Sequence, residues 1–135
     1  MKQHTYKTRV RYAETDQMGV VYYANYLAYM ESARTTLLRE GGYPYGELEK
    51  DGYLLPVTEC KVNYKGSARF DEEITVKTAL DYVKNASIKI NYAIYNEAGT
   101  LIVTGYTVHP FINPEWKIVP IPEGLKEMLC EYIAP

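Results

Sequence analysis

The order in which the hydrophobic period changes along this chain constrains its fold more than any other feature. Tyr6, Thr8, Val10 and Tyr12 alternate with Lys7, Arg9 and Arg11, the signature of a half-buried strand. Residues 13–19 are polar and close on Gly19, which reads as a loop. Over residues 25–39 the spacing turns helical. Tyr26, Met30, Ala33 and Leu37 form one stripe, widened by Leu27, Tyr29 and Leu38. Gly41 and Gly42 stop that helix, and Pro44 forbids its continuation. After a loop holding Gly46, Gly52 and Pro56, alternation resumes at Thr58, Cys60, Val62 and Tyr64. It continues at Ile74, Val76, Thr78, Leu80 and Tyr82, then at Ile88, Ile90, Tyr92 and Ile94. Residues 96–99 read as a hairpin loop into a fourth run, 101–112, either buried on both faces or bulged at Gly105. Pro114, Pro120 and Pro122 mark an irregular exit before a short amphipathic helix over 123–133.

Short connections between the later strands imply antiparallel pairing. A sheet with one apolar face must be covered, and a single long apolar helix is available to cover it. The expectation is an α+β fold, an antiparallel sheet wrapped around one central helix, forming a single domain over residues 1–135.

Composition narrows the function classes. Fifteen Lys plus Arg against seventeen Asp plus Glu leave a net charge of −2, which argues against a nucleic-acid partner. No apolar run approaches the roughly 18 residues of a membrane span, and the first sixteen residues lack a signal-peptide core, so a cytoplasmic location is expected. Cys60 and Cys130 form no CxxC pair, and His4 and His109 are the only imidazoles. No His/Cys metal cluster can be assembled within one chain, and no cofactor is expected. Fifteen of the eighteen aromatics are tyrosine, a residue suited to half-buried strands, pockets and subunit interfaces.

The common catalytic motifs (GxSxG, the glycine-lysine phosphate loop, GxGxxG, HExxH) are missing. His109 reads as a strand-end histidine, and Cys60 as an inert thiol on the buried face of its strand. What remains is residues 14–26, which carry Glu14 and Asp16 in a loop running through Gly19 into the N-terminus of the apolar helix. Such an end leaves backbone N–H groups unpaired and can stabilise a developing oxyanion. A nearby carboxylate would supply a nucleophile or general base. Local physics also allows Asp16 a plain loop or capping role.

Residues 9–26, continued by Tyr29, Met30, Glu31, Ser32, Ala33 and Arg34, closely resemble the 4-hydroxybenzoyl-CoA thioesterase family of hotdog-fold proteins, in its bacterial branch of small acyl-CoA thioesterases that includes Tol-Pal-associated enzymes. The shared landmarks are the acid-x-Asp, Gly19, the apolar pair Val20 and Val21, an aromatic, Asn25-Tyr26, and Glu31-x-x-Arg34. A second block, Val62-Asn63-Tyr64 followed by Ser67-Ala68-Arg69-Phe70-Asp71-Glu72, and a third, Val119-Pro120-Ile121-Pro122-Glu123, resemble later family segments. The resemblance implies the hotdog fold, hydrolysis of an acyl-CoA thioester with a short-chain aliphatic or aromatic acyl group, and a homodimer or homotetramer with sites at the dimer interface. It assigns Asp16 as nucleophile or as base for water, and the backbone N–H of Tyr23 as the donor that polarises the carbonyl. It implies that Gly19 lets the loop approach the substrate closely, with Val20, Tyr22 and Ser67 as further substrate-contact candidates. Lys65, Arg69 and Lys61 either meet the coenzyme A phosphates or form a solvated strand face. Many relatives carry His at the position of Tyr23, and Pro at that of Ser67.

Glu31 and Arg34, three apart on the helix, read as a structural ion pair. Two other classes stand beside the thioesterase. A hotdog dehydratase would need a catalytic His with an acid, and a non-catalytic acyl-CoA-binding or scaffolding protein would bind without turnover.

Overall fold

The computed structural model describes residues 2–133. Five strands form one antiparallel sheet in the order β1-β3-β4-β5-β2, with β1 His4–Arg9, β2 Glu59–Tyr64, β3 Glu73–Val83, β4 Ser87–Tyr95 and β5 Leu101–Pro110. Helix α1, Asn25–Glu40, lies across the concave face against β1 and β3, and α3, Glu123–Cys130, packs on β3. The sheet wrapped around a central helix is the α+β hotdog arrangement.

The helical stripe behaves as its spacing requires. Tyr26, Met30, Ala33 and Leu37 are buried, with Tyr29 and Leu38 beside them, against Ile74, Val76, Leu80, Ile88 and Ile94 of the sheet. Burying each large apolar side chain contributes about 1.5–3 kcal/mol, so this seam fixes the helix. Leu27 departs from the expectation: it lies on the far side of the helix and is exposed. The inward positions of β3 and β4 alternate as read, buried at Ile74, Val76, Thr78 and Leu80 and at Ile88, Ile90, Tyr92 and Ile94.

Several boundaries differ for identifiable reasons. The first strand stops at Arg9, because a 3-10 turn, Tyr12–Glu14, begins where alternation would continue, leaving Tyr12 77% exposed. A short helix, α2 Tyr45–Lys50, occupies part of the segment expected to be loop, starting directly after Pro44. Cys60 is exposed, not buried, because β2 is a sheet edge paired only with β5 and most of its side chains face outward. The terminal helix ends at Cys130, short of residue 133.

The irregularity in β5 falls at Ile102, not at Gly105. Ile94 pairs with Val103 and Tyr95 with Leu101, so Ile102 is the extra residue and both Ile102 and Val103 are buried. Gly105 has another cause: a Cβ there would sit 2.5 Å from the Lys61 carbonyl oxygen and 3.0 Å from Met30 Cε. Only glycine lets β5 pass this close to β2 above the central helix.

Candidate active site

The loop from the 3-10 turn to α1 is held by its own backbone. Asp16 N–H donates to the Val20 carbonyl at 2.9 Å, Gly19 N–H returns to the Asp16 carbonyl at 3.0 Å, and Thr15 bridges Val21. Gly19 closes this turn with φ +79°, a region that side-chain-bearing residues rarely occupy. Val21 N–H donates to the Ala68 carbonyl, and Val20 bridges Arg69, so the loop is stitched to the segment after β2. The Arg69 Nη1 atom lies 3.4 Å from where a Gly19 Cβ would stand.

Glu14 anchors the loop. Its carboxylate accepts from Arg11 N at 2.8 Å, from Arg11 Nε and Nη2, and from Tyr29 Oη at 2.8 Å, while its carbonyl accepts from Tyr22 N and Asn25 Nδ2. Burial acts to raise the Glu14 pKa, but the hydrogen bonds from Arg11 and Tyr29 outweigh it and hold the carboxyl below its ordinary value. Burial and the Glu14 charge push the Tyr29 phenol upward in turn. The acid two residues before Asp16 is therefore a positioning group.

Asp16 itself is half-buried. One oxygen, Oδ1, accepts the Met18 N–H at 2.8 Å in an Asx turn, and the other oxygen has no hydrogen bond among the described residues. At the mouth of α1, Tyr22 N–H and Asn25 N–H are engaged, while Tyr23 N–H meets no acceptor among the described residues. Tyr22, Tyr23 and Tyr64 make an exposed aromatic cluster. The Tyr22 and Tyr23 rings are 4.8 Å apart, those of Tyr23 and Tyr64 6.1 Å, and Tyr64 Oη donates to the Tyr23 carbonyl at 3.1 Å. A hydrogen bond with Tyr23, together with the charge of Asp16, raises the Tyr22 phenol.

The structure thus brings Asp16, Gly19, Val20, Tyr22, Tyr23 and Arg69 to one end of the central helix. Lys65 and Ser67 lie exposed on the strap between β2 and Ala68, and neither side chain makes a hydrogen bond or ion pair among the described residues. The Glu31–Arg34 ion pair does not form: Glu31 faces outward, and Arg34 turns toward Tyr92 and His109.

That turn exposes a second polar cluster that the strand-end reading of His109 missed. His109 is 1% exposed; its Nδ1 meets the Leu55 carbonyl at 3.2 Å and its Nε2 meets Thr107 Oγ1 at 2.8 Å. Thr107 Oγ1 lies 2.7 Å from Tyr92 Oη. A carbonyl only accepts, so Nδ1 carries the proton, Nε2 accepts from Thr107, and Thr107 accepts from Tyr92. Burial, with the Arg34 charge, lowers the His109 pKa to about 4 and keeps the ring neutral. The signal was present in the sequence: Thr107 and His109 share one face of β5, directed inward.

Comparison with known proteins identifies the family and the fold. The thioesterase-like superfamily pattern matches residues 10–129. A putative acyl-CoA thioesterase of Bacillus subtilis, YneP, is 41% identical over 106 residues, 78% of this chain and 77% of its own. The DHNA-CoA thioesterase of Staphylococcus aureus superposes with a TM-score of 0.85 at 36% identity, covering 89% of this chain and 81% of that one. The hypothetical protein TT1821 of Thermus thermophilus gives a TM-score of 0.88 at 34% identity, covering 96% and 98%. On its sequence, its fold and these relatives, the chain belongs to the thioesterase-like superfamily.

Proposed function

We propose that this chain hydrolyses an acyl-CoA thioester to the free acid and coenzyme A, with Asp16 and the Tyr23 N–H as its working groups. One observation carries the reading. A carboxylate oxygen and a helix-end N–H, both unengaged among the described residues, stand on the same short loop, which Glu14 and Gly19 hold rigid. A thioester carbonyl at the helix mouth would accept from Tyr23 N–H, and the charge that builds on its oxygen would meet the positive end of α1. The free Asp16 oxygen would either attack the carbonyl carbon, expelling the thiolate before water cleaves the acyl anhydride, or take a proton from the attacking water. Arg69 beside Gly19 stands within reach of the coenzyme A phosphates. Lys65 and Ser67 share that role only if the substrate crosses the strap.

A second copy of the chain completes the site in this reading. β2 presents an unpaired outer edge, and Leu27, Tyr23 and Tyr64 leave apolar surface exposed beside it, a combination that invites edge-to-edge pairing into a dimer or a dimer of dimers.

Asp16→Asn tests the chemistry. The amide oxygen still accepts the Met18 N–H, so the turn and the fold should persist, while release of coenzyme A from a panel of aliphatic and aromatic acyl-CoAs should fall by about 10²–10⁴-fold. Wild-type binding of acyl-CoA without release, unchanged in Asp16→Asn, would defeat the hydrolase reading and favour a binding protein. Unfolding of the variant would assign Asp16 to the loop.

A further inference from the structure

The polar cluster at His109 forms the wall of a cleft further along α1 from the Asp16 loop. The cleft has a volume of about 370 Å³ and lies between the middle of α1, the strap before β2, and the start of β4. Its walls are mostly apolar, with Leu38, Leu55, Val57, Ile88 and Ile90 among them. Four titratable side chains interrupt that lining: Glu31, Arg34, Tyr45 and His109. At about 30 Å³ per water-sized atom, the space suits a ligand of about a dozen non-hydrogen atoms.

Arg34 is the anomaly. It is a partly buried guanidinium in an apolar cleft, yet no ion pair among the described residues includes it. A buried charge is normally paired, because desolvation costs more than an unpaired group recovers. The Glu31 carboxylate shares the cleft but makes no ion pair with Arg34, and the groups Arg34 turns toward, Tyr92 and His109, are neutral. The directional chain from Tyr92 through Thr107 and His109 to the Leu55 carbonyl commits the Tyr92 proton inward, leaving the lone pairs of the phenol oxygen toward the Arg34 charge. Tyr92 and Thr107 are themselves 3% and 2% exposed, so this support is rigid. The chain can orient the guanidinium fork but cannot neutralise it. With five N–H donors and one phenol oxygen beside it, Arg34 retains donors for an oxygen-bearing ligand.

We propose that Arg34 is a specificity-determining residue, and that this cleft takes acyl groups ending in an oxygen acceptor, a carboxylate or a hydroxyl, which Arg34 binds. The inference rests on the acyl-CoA reading above and adds to it the chemistry of the acyl end. It also explains why the cleft is not wholly apolar, as a plain alkyl chain would favour, and why Arg34 is left without an ion-pair partner among the described residues.

The test uses two matched pairs of substrates, adipoyl-CoA with hexanoyl-CoA and 4-hydroxyphenylacetyl-CoA with phenylacetyl-CoA, on wild type, Arg34→Met and Arg34→Lys. Within at least one pair, wild type should show kcat/KM higher by about 10- to 100-fold for the oxygen-ended member. Arg34→Met should bring that ratio to about one, with the loss falling on the oxygen-ended member. Arg34→Lys keeps the charge without the planar fork, and it should preserve more of the adipoyl preference than of the hydroxyaryl one. It also serves if Arg34→Met fails to fold. The pair that discriminates tells carboxylate from hydroxyl. A wild-type ratio near one in both pairs overturns the proposal. So does an equal loss on all four substrates in Arg34→Met, particularly with a change in oligomeric state, which would make Arg34 an inter-subunit ion-pair partner. If wild type hydrolyses none of the four, the hydrolase reading fails on its own, and calorimetric titration with free adipate and hexanoate decides the cleft. Adipate binding lost in Arg34→Met upholds it, and equal or absent binding of both acids overturns it.

Discussion

His109 makes the stability of this protein fall as pH drops below 6.5. Buried beside the Arg34 charge, its imidazole has a folded pKa of about 4 against an ordinary value of 6.5. The unfolded chain therefore binds a proton in this interval that the folded chain refuses, and stability falls as pH drops below 6.5. Integrating over the two pKa values, wild type should lose about 2 kcal/mol between pH 7 and pH 5, and about 3 kcal/mol by pH 4, below which the contribution levels off. The comparison variant is His109→Gln, whose amide can still donate to the Leu55 carbonyl and accept from Thr107 but does not titrate. Urea unfolding at pH 7, 6 and 5 gives the readout. With m of about 2 kcal/mol/M, the wild-type midpoint should fall by about 1 M over that range. The variant starts from a lower midpoint and should show a flatter pH dependence, because its remaining titratable groups are those of wild type. Parallel pH profiles for the two proteins would refute the reasoning. They would mean that the ring takes up its proton as readily in the fold as in the unfolded chain, with Nε2 then donating to Thr107.

Two further outcomes follow from the anchoring of the loop and the sheet. Glu14→Gln should cost about 1–3 kcal/mol at pH 7 by weakening the charged hydrogen bonds to Arg11 and Tyr29. Because those bonds hold the Glu14 pKa below its ordinary value, the urea-midpoint gap to wild type should close as pH falls through that lowered pKa; a gap that persists there would deny the charge its role. Gly105→Ala should cost about 1–3 kcal/mol, since the new methyl group meets the Lys61 backbone carbonyl at 2.5 Å, and a thermal melt unchanged from wild type would show that β2 yields freely.

Much of the architecture was legible from local pattern. Period-2 alternation located the inward residues of β3 and β4, and the stripe Tyr26, Met30, Ala33 and Leu37 located the central helix, because each pattern is set by backbone geometry alone. The loop between Glu14 and Asn25 was also legible, as a run of chemistry-bearing residues around a glycine that the structure places at φ +79°. The role of Glu14 was not, since a carboxylate in sequence carries no sign of the Arg11 and Tyr29 donors that surround it.

What sequence alone determined was the set of elements and the face each would bury. The spatial order was decided by tertiary structure: β2 follows α1 in the chain yet joins the sheet beside β5, at the edge opposite β1. Period-2 alternation says which face of a strand is apolar but not which neighbour it pairs with, so Cys60 read as buried where the edge leaves it exposed. The same limit applied to Arg34. Helical spacing offered Glu31 as its partner, whereas the folded sheet brings Tyr92 of β4 and His109 of β5, residues 58 and 75 positions further along the chain, to face it. Pairing energies over such separations arise only once the core has closed, and no local period encodes them.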